Sequence, residues 1–283
     1  MSELNLANPE TLKKLLNQNG FSFNKALGQN FLIDSSVCPN MAQAADSEFV
    51  LEIGPGVGVL TKELCETAEK VVAIELDERL KPILKKTLNG YDNVEIIFAD
   101  AMKIDLNALI LEHFGDKKVA VCANLPYYIT SPLIMALLEQ KLPVTSLTVM
   151  VQKEAADRLC AEIGKREAGA VSVAVSYYAQ PQLLFDVPRD SFMPAPKVDS
   201  AVIQLVLRDE PPIKVKNEKA FFALIKAAFA QRRKTFVNSV SSSLGLPKEK
   251  VQKALETLEI NPLIRAEALT MEQFGKISDA LEM

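Results

Sequence analysis

Tryptophan is absent from the sequence, histidine occurs once, and the four cysteines are scattered. Cys38, Cys65, Cys122 and Cys160 form no CxxC pair, and His113 adds one isolated ligand, so no zinc cluster and no other metal site is expected. The plain reading of such thiols is that they stay reduced, as in a cytoplasm. No run of about eighteen apolar residues is present, which argues against a membrane-spanning helix. The first thirty residues lack an apolar core followed by a small-residue cleavage site, so no secretory leader is expected and the protein is read as cytoplasmic. Internal repeats and low-complexity tracts are missing as well.

A strong excess of positive charge is also lacking. The net charge of −4 does not by itself point to nucleic acid. Its distribution is uneven: from Leu205 onward 13 Lys+Arg face 10 Asp+Glu, so an acidic body carries a mildly basic tail. That arrangement is compatible with a local RNA contact without requiring one.

What is present is alternation. Short β-branched runs at 48–53, 70–75, 93–98, 118–123 and 146–152 are separated by helical patterns at 60–68, 77–88, 131–139 and 153–162. Two further strand-like runs follow at 181–188 and 200–208. Strands alternating with helices predict an α/β fold with a Rossmann-like, doubly wound, mostly parallel sheet of seven strands and an antiparallel edge. The paired prolines in DEPPIKV (209–215) read as a linker. Beyond them apolar residues recur at helical spacing, so the expected domains are 1–208, with an N-terminal helical extension, and a small all-α domain over 209–283.

The first strand runs into E-I-G-P-G-V-G, ending at Gly58. Glycines there let the backbone approach a ligand where strand turns into helix. A dinucleotide fingerprint needs its third glycine at position 59, which is Val59. The tighter spacing, with Gly54 and Gly56, resembles the S-adenosylmethionine (SAM) loop of Rossmann-like methyltransferases. Taken alone, such a loop is also a common turn. Glu75 ends the second strand, where a carboxylate can accept from both hydroxyls of a ribose. Asp100, followed by Ala101, ends the third, where it can accept from an adenine amino group.

NLPYYIT (124–130) follows the fourth strand and opens onto the same sheet edge. An adenine amino group is a poor nucleophile because its lone pair is delocalised into the ring. The amide oxygen of Asn124, with the carbonyl of Leu125 or Pro126, is suited to accept its two N–H bonds and favour a pyramidal nitrogen. Tyr127 is suited to stack on the base, an interaction worth about 1–3 kcal/mol. Alignment and hydrogen bonding then supply the catalysis without a strong base. These residues resemble the (N/D)-(P/I/L)-P-(Y/F) signature of amino-group methyltransferases.

Together, KALGQNFLID (25–34), LEIGPGVGVLT (51–61), NLPYYITSPLI (124–134), SFMPAPKVDSAV (191–202) and FAQRRKTF (229–236) resemble one family, the KsgA-type ribosomal RNA adenine dimethyltransferases. The resemblance runs from about residue 20 to beyond 265. It implies SAM contacts at Asn30, Leu32, Gly54, Gly56, Glu75, Asp100, Ala101 and Asn124. It also implies that Phe192 faces Tyr127 across a flipped-out base, with Asn124 and Pro126 at the reacting amine. Read without the family, Phe192 is equally a core plug between prolines.

The implied substrate is a pair of neighbouring adenosines in the loop of the 3′-terminal hairpin of 16S ribosomal RNA, within an immature 30S subunit. Arg232, Arg233 and Lys234 then read as a phosphate-binding patch; otherwise they are a solvated helix face. A monomer is expected. Four rival readings stay open: an enzyme acting on large-subunit RNA, a DNA adenine methyltransferase, a protein-glutamine methyltransferase, and a SAM-binding assembly factor. The NLPY and FMPAPKVDSAV stretches and the small, weakly basic tail favour the small-subunit enzyme over these.

Overall fold

The computed structural model describes residues 4–24, 28–127, 129–140 and 142–282. The opening of the KALGQNFLID stretch (25–27) and Tyr128 of NLPYYIT lie outside the described residues. The chain divides into two compact units, one of residues 1–156 and 181–207, the other of 157–180 and 208–283.

Among the described residues the first unit is built on nine strands and the helices between them. Helix α1 (Pro9–Gln18) starts because the Asn8 side chain accepts from the N–H groups of Glu10 and Thr11, with Pro9 fitting the first turn. Strand β1 (Phe31–Leu32) is followed by α2 (Val37–Ala45), β2 (Phe49–Ile53), α3 (Val59–Thr67), β3 (Lys70–Glu75) and α4 (Lys81–Thr87). Then come β4 (Val94–Phe98), α5 (Leu106–Phe114), β5 (Val119–Asn124), α6 (Thr130–Glu139), β6 (Val144–Gln152) and α7 (Lys153–Leu159). After α8 (Ala170–Tyr178) the chain forms β7 (Ala179–Val187), β8 (Phe192–Met193) and β9 (Ser200–Leu207).

Seven strands form one sheet in the order β4-β3-β2-β5-β6-β9-β7. The first five are mutually parallel, and β9 runs antiparallel to β6. Strands β2, β3 and β5 are buried almost end to end, which explains why their sequences are continuous apolar runs rather than alternations. Each fully buried Val, Leu or Ile among them contributes about 1.5–3 kcal/mol. β2 and β3 run to the middle of the sheet, and the chain leaves in opposite directions on either side of β2. The carboxyl ends of β2, β3, β4 and β5 therefore border a crevice at a topological switch point. Separately, β1 and β8 pair antiparallel as a two-stranded ribbon, Leu32 opposite Phe192 and Phe31 opposite Met193.

The second unit is helical: α8, then α9 (Glu218–Phe229), α10 (Phe236–Leu244), α11 (Lys248–Thr257) and α12 (Met271–Ala280). Its core gathers Val173 and Tyr177 with Phe221, Phe236 and Phe274. This is why 157–180, expected in the first domain, cluster with the C-terminal helices: the apolar face of α8 is buried among them. The segment read as a linker, 209–215, also packs there. Ile213 lies so close to Gly275 that a Cβ on the glycine would approach its Cδ1 to 2.7 Å.

Candidate active site

The glycine loop after β2 is forced by its backbone. Gly54, Gly56 and Gly58 have φ of +76°, +60° and +90°, the left-handed region that costs other residues about 1–2 kcal/mol. At Gly56 space forbids a side chain too, since a Cβ would lie 3.2 Å from the Phe31 ring. The loop thus presents bare backbone to a cavity of about 240 Å³.

Glu75, the last residue of β3, is buried at 6% exposure. Its Oε2 accepts from Gly56 N–H (3.0 Å) and its Oε1 from Asp77 N–H (2.8 Å). Burial pushes its carboxyl above the ordinary range, and the backbone donors at Asp77 and Gly56 offset part of that. Asp77 in turn accepts from Arg79 and from Gln29 Nε2 (2.7 Å), which fastens the GQN stretch beside Glu75. The Arg79 hydrogen bond holds the Asp77 carboxyl below its usual value.

Across the cavity, Asp100 Oδ1 accepts from Met102 N–H at 3.0 Å, which lowers its pKa. Asn30, Leu32, Ala101 and Asn124 line the same cavity, as do Gly54, Gly56, Glu75 and Asp100. All eight residues assigned to the cofactor are therefore brought together. Leu76 and Met102, 48% and 43% exposed, also border it and offer apolar faces for a flat ring.

The end of β5 supplies the other half of the site. Among the described residues the Asn124 amide has no hydrogen-bond partner, although it is partly buried. The Pro126 carbonyl is occupied, accepting from Ile129 N–H (3.1 Å) and the Thr130 hydroxyl (3.3 Å). Of the two backbone acceptors considered, only the Leu125 carbonyl has no partner among the described residues. Tyr127 lines the cavity with its hydroxyl 2.8 Å from Ser200 Oγ, and burial raises its pKa. Phe192 borders the same cavity but is 3% exposed, packed among Leu32, Cys38, Met150 and Val202. Phe192 is thus part of the core and at the same time a wall of the cavity.

Sequence reasoning assigned no role to Glu52, although it opens the glycine motif. It is 1% exposed, borders the cavity, and burial pushes its carboxyl up to about 8, Glu75 adding to the effect. The nearby Thr61 hydroxyl lowers it in part, yet neither Glu52 Oε2 nor Thr61 Oγ1 completes a hydrogen bond within the described protein. A buried carboxyl with an unpartnered oxygen at a cavity wall fits a ligand bearing an ammonium group, whose positive charge favours the ionised form that burial alone opposes. With the bare glycine loop and Glu75, it makes the cavity fit for SAM, which carries an amino acid at one end and a ribose and adenine at the other. The only signal for it in the sequence was a carboxylate inside an apolar strand.

Away from the cavity, Arg232, Arg233 and Lys234 sit in the turn between α9 and α10, not on a helix face. Arg232 is already engaged, donating to the carbonyls of Arg166 (2.9 Å) and Ala168 (3.5 Å). Among the described residues no group of three or more His, Cys, Asp or Glu is gathered in metal-binding fashion. No described helix is long and apolar enough to cross a membrane.

Comparison with known proteins adds the following. The model of the family described as ribosomal RNA adenine dimethylase matches residues 20–282. Ribosomal RNA small subunit methyltransferase A of Lachnoclostridium phytofermentans is 48% identical over 283 residues, covering 98% of each chain. The protein of the same name from Geobacillus thermodenitrificans is 47% identical, over 98% of this chain and 97% of that one. Among solved structures, a dimethyladenosine transferase from Plasmodium falciparum superposes with a TM-score of 0.73 at 28% identity, covering 87% of this chain and 95% of that one. The 23S rRNA methyltransferase ErmE gives 0.68 at 26% identity, over 90% and 100%.

Proposed function

We propose a specific reaction for this chain, which belongs to the ribosomal RNA adenine dimethylase family and is a methyltransferase. It dimethylates N6 of two adjacent adenosines in the loop of the 3′-terminal hairpin of 16S ribosomal RNA. SAM is the methyl donor, and the particle is an immature 30S subunit in the cytoplasm. The protein acts as a monomer and takes part in subunit biogenesis. Relatives at 45–48% identity are named for the small subunit, whereas the large-subunit enzyme ErmE is 26% identical, which favours the small-subunit substrate.

One observation carries the reading. Lining a cavity fit for SAM are two acceptors without a partner among the described residues, the Asn124 amide oxygen and the Leu125 carbonyl. When bound, SAM supplies a methyl group on a positively charged sulfur. Asn30, Leu32, Gly54, Gly56, Glu75, Asp100, Ala101 and Asn124 hold it, and Glu52 takes its ammonium. Asn124 and Leu125 accept the two N–H bonds of the adenine amine and turn its lone pair out of the ring. Tyr127 and Phe192 bracket the base, which leaves its stack cheaply because it lies in a loop. No strong base is needed, since the alkylated nitrogen is acidic and loses its proton to water. Acceptor atoms fixed in advance reduce the barrier by alignment and electrostatics.

The test incubates the protein with radiolabelled SAM and small subunits lacking this modification, then maps the label. Two labelled adjacent adenosines near the 3′ end are expected. Label confined to large-subunit RNA or to DNA would contradict the assignment.

A further inference from the structure

The SFMPAPKVDSAV stretch ends in a serine to which the reaction above gives no task. Ser200 is the first residue of β9, is completely buried, and pairs with Gln152 of β6. Its position is therefore fixed by the sheet. Tyr127 lies outside any strand or helix, in the turn after β5, and its ring is half-buried. The two hydroxyls meet at 2.8 Å, tying the turn to the sheet across 73 positions of chain.

Ser200 also closes a loop. Asp199, just before it, accepts from Arg189 N–H through its side chain (2.9 Å) and from Lys153 N–H through its carbonyl (3.0 Å). The residues between carry Phe192, whose strand is held by Leu32 opposite it and by Ile33 N–H donating to the Ser191 carbonyl (2.8 Å). Phe192 thus rides on the loop whose last residue grips Tyr127. The spacing of the two rings is set by one stretch of chain.

We propose that Ser200 is a positioning residue for methyl transfer, anchoring Tyr127 by its hydroxyl so that its ring stands at a fixed distance from Phe192. The inference rests on the functional reading given above. Holding the ring by its far end leaves the face free for the base and removes motion that would otherwise be lost on binding. The hydrogen bonds that shape the glycine loop around Glu75, from Gly56 N–H and Asp77 N–H, involve neither hydroxyl, so cofactor affinity is expected to be unchanged when the tie is cut.

The test is a double-mutant cycle of Ser200→Ala and Tyr127→Phe in the full-length protein. Single-turnover methyl transfer to unmodified small subunits is measured at saturating SAM, with SAM affinity by calorimetry and melting temperature alongside. Each single variant is expected to slow transfer about three- to tenfold, the worth of one hydrogen bond, with SAM affinity unchanged. The double variant is expected to be no slower than the slower single, because both remove the same bond. Multiplying losses, an unchanged rate in Ser200→Ala, or a loss matched by weaker SAM binding would each overturn the proposal. Tyr127→Phe removes the bond from the cavity side, so a folding defect of Ser200→Ala does not obscure the outcome. Wild-type protein in the same assay separates the two claims: no label there defeats the functional reading, whereas label there with normal variants defeats Ser200 alone.

Discussion

Glu75 Oε2 and Gly56 N–H are hydrogen-bonded at 3.0 Å, joining the end of β3 to the glycine loop after β2. The same carboxylate is the ribose-binding candidate, so loop shape and cofactor binding share one group. Glu75→Ala removes both. A hydrogen bond to a charged acceptor is worth about 1.5–3 kcal/mol, so SAM affinity should fall roughly 10- to 100-fold, measured by calorimetry. Unchanged affinity would exclude Glu75 from the cofactor site.

Glu52 makes a pH prediction. Its folded-state pKa is raised from 4.5 to about 8, so the native protein holds this proton more tightly than the unfolded chain. The associated stability is complete below about pH 4.5 and is lost as pH rises to about 8. Glu52→Gln cannot titrate. Its melting temperature should fall less than that of wild type between pH 5 and pH 8, and it should bind SAM more weakly for want of a charge opposite the ammonium. Parallel melting curves would show that Glu52 does not titrate in this range.

Much of this was legible beforehand, for definite reasons. Strands β2, β3 and β5 announce themselves as apolar runs because both their faces are covered. Glu75 and Asp100 follow from them, since a parallel sheet places its ligands at strand ends. α8 was not legible: its sequence, AVSVAVSYY, is rich in β-branched residues, and burial against Phe221 and its neighbours overrides that preference. The β1–β8 ribbon and the Tyr127–Ser200 bond join residues far apart in the chain, which no local pattern records. The glycine spacing gave the loop, but Glu52 beside it became visible only once its oxygen proved to be without a partner.

The basic turn of the second unit has an unequal membership. Arg232 commits its Nη2 to two carbonyls, whereas Arg233 and Lys234 are exposed and, among the described residues, hold no such hydrogen bond, so they make the cleaner test of phosphate binding. Replacing both with Gln should weaken binding to small subunits and reduce the slope of log affinity against log salt by roughly 1.4–1.8. An unchanged slope would remove the turn from the RNA-binding surface.

Leu125 is buried and donates its N–H to the Met150 carbonyl at 3.2 Å. We hypothesise that leucine here, in place of the proline of many DNA methyltransferases, leaves room for a second methyl group. Leu125→Pro should then yield monomethylated adenosine, counted by mass spectrometry of digested RNA. Since it also deletes the N–H, Leu125→Ala serves as control and should still dimethylate. Full dimethylation by the proline variant would discard the idea.

The central claim is that a neutral amide orients the nucleophile, and Asn124→Ala tests it most directly. With saturating SAM and unmodified small subunits, the single-turnover rate should drop about 100- to 1,000-fold, as when one preorganised polar group is removed from a reacting centre. SAM affinity, measured on the same preparation, should fall no more than about tenfold, the worth of the one contact Asn124 makes to the cofactor and far less than the loss in rate. A rate near wild type, or a loss accounted for wholly by weaker SAM binding, would contradict the account.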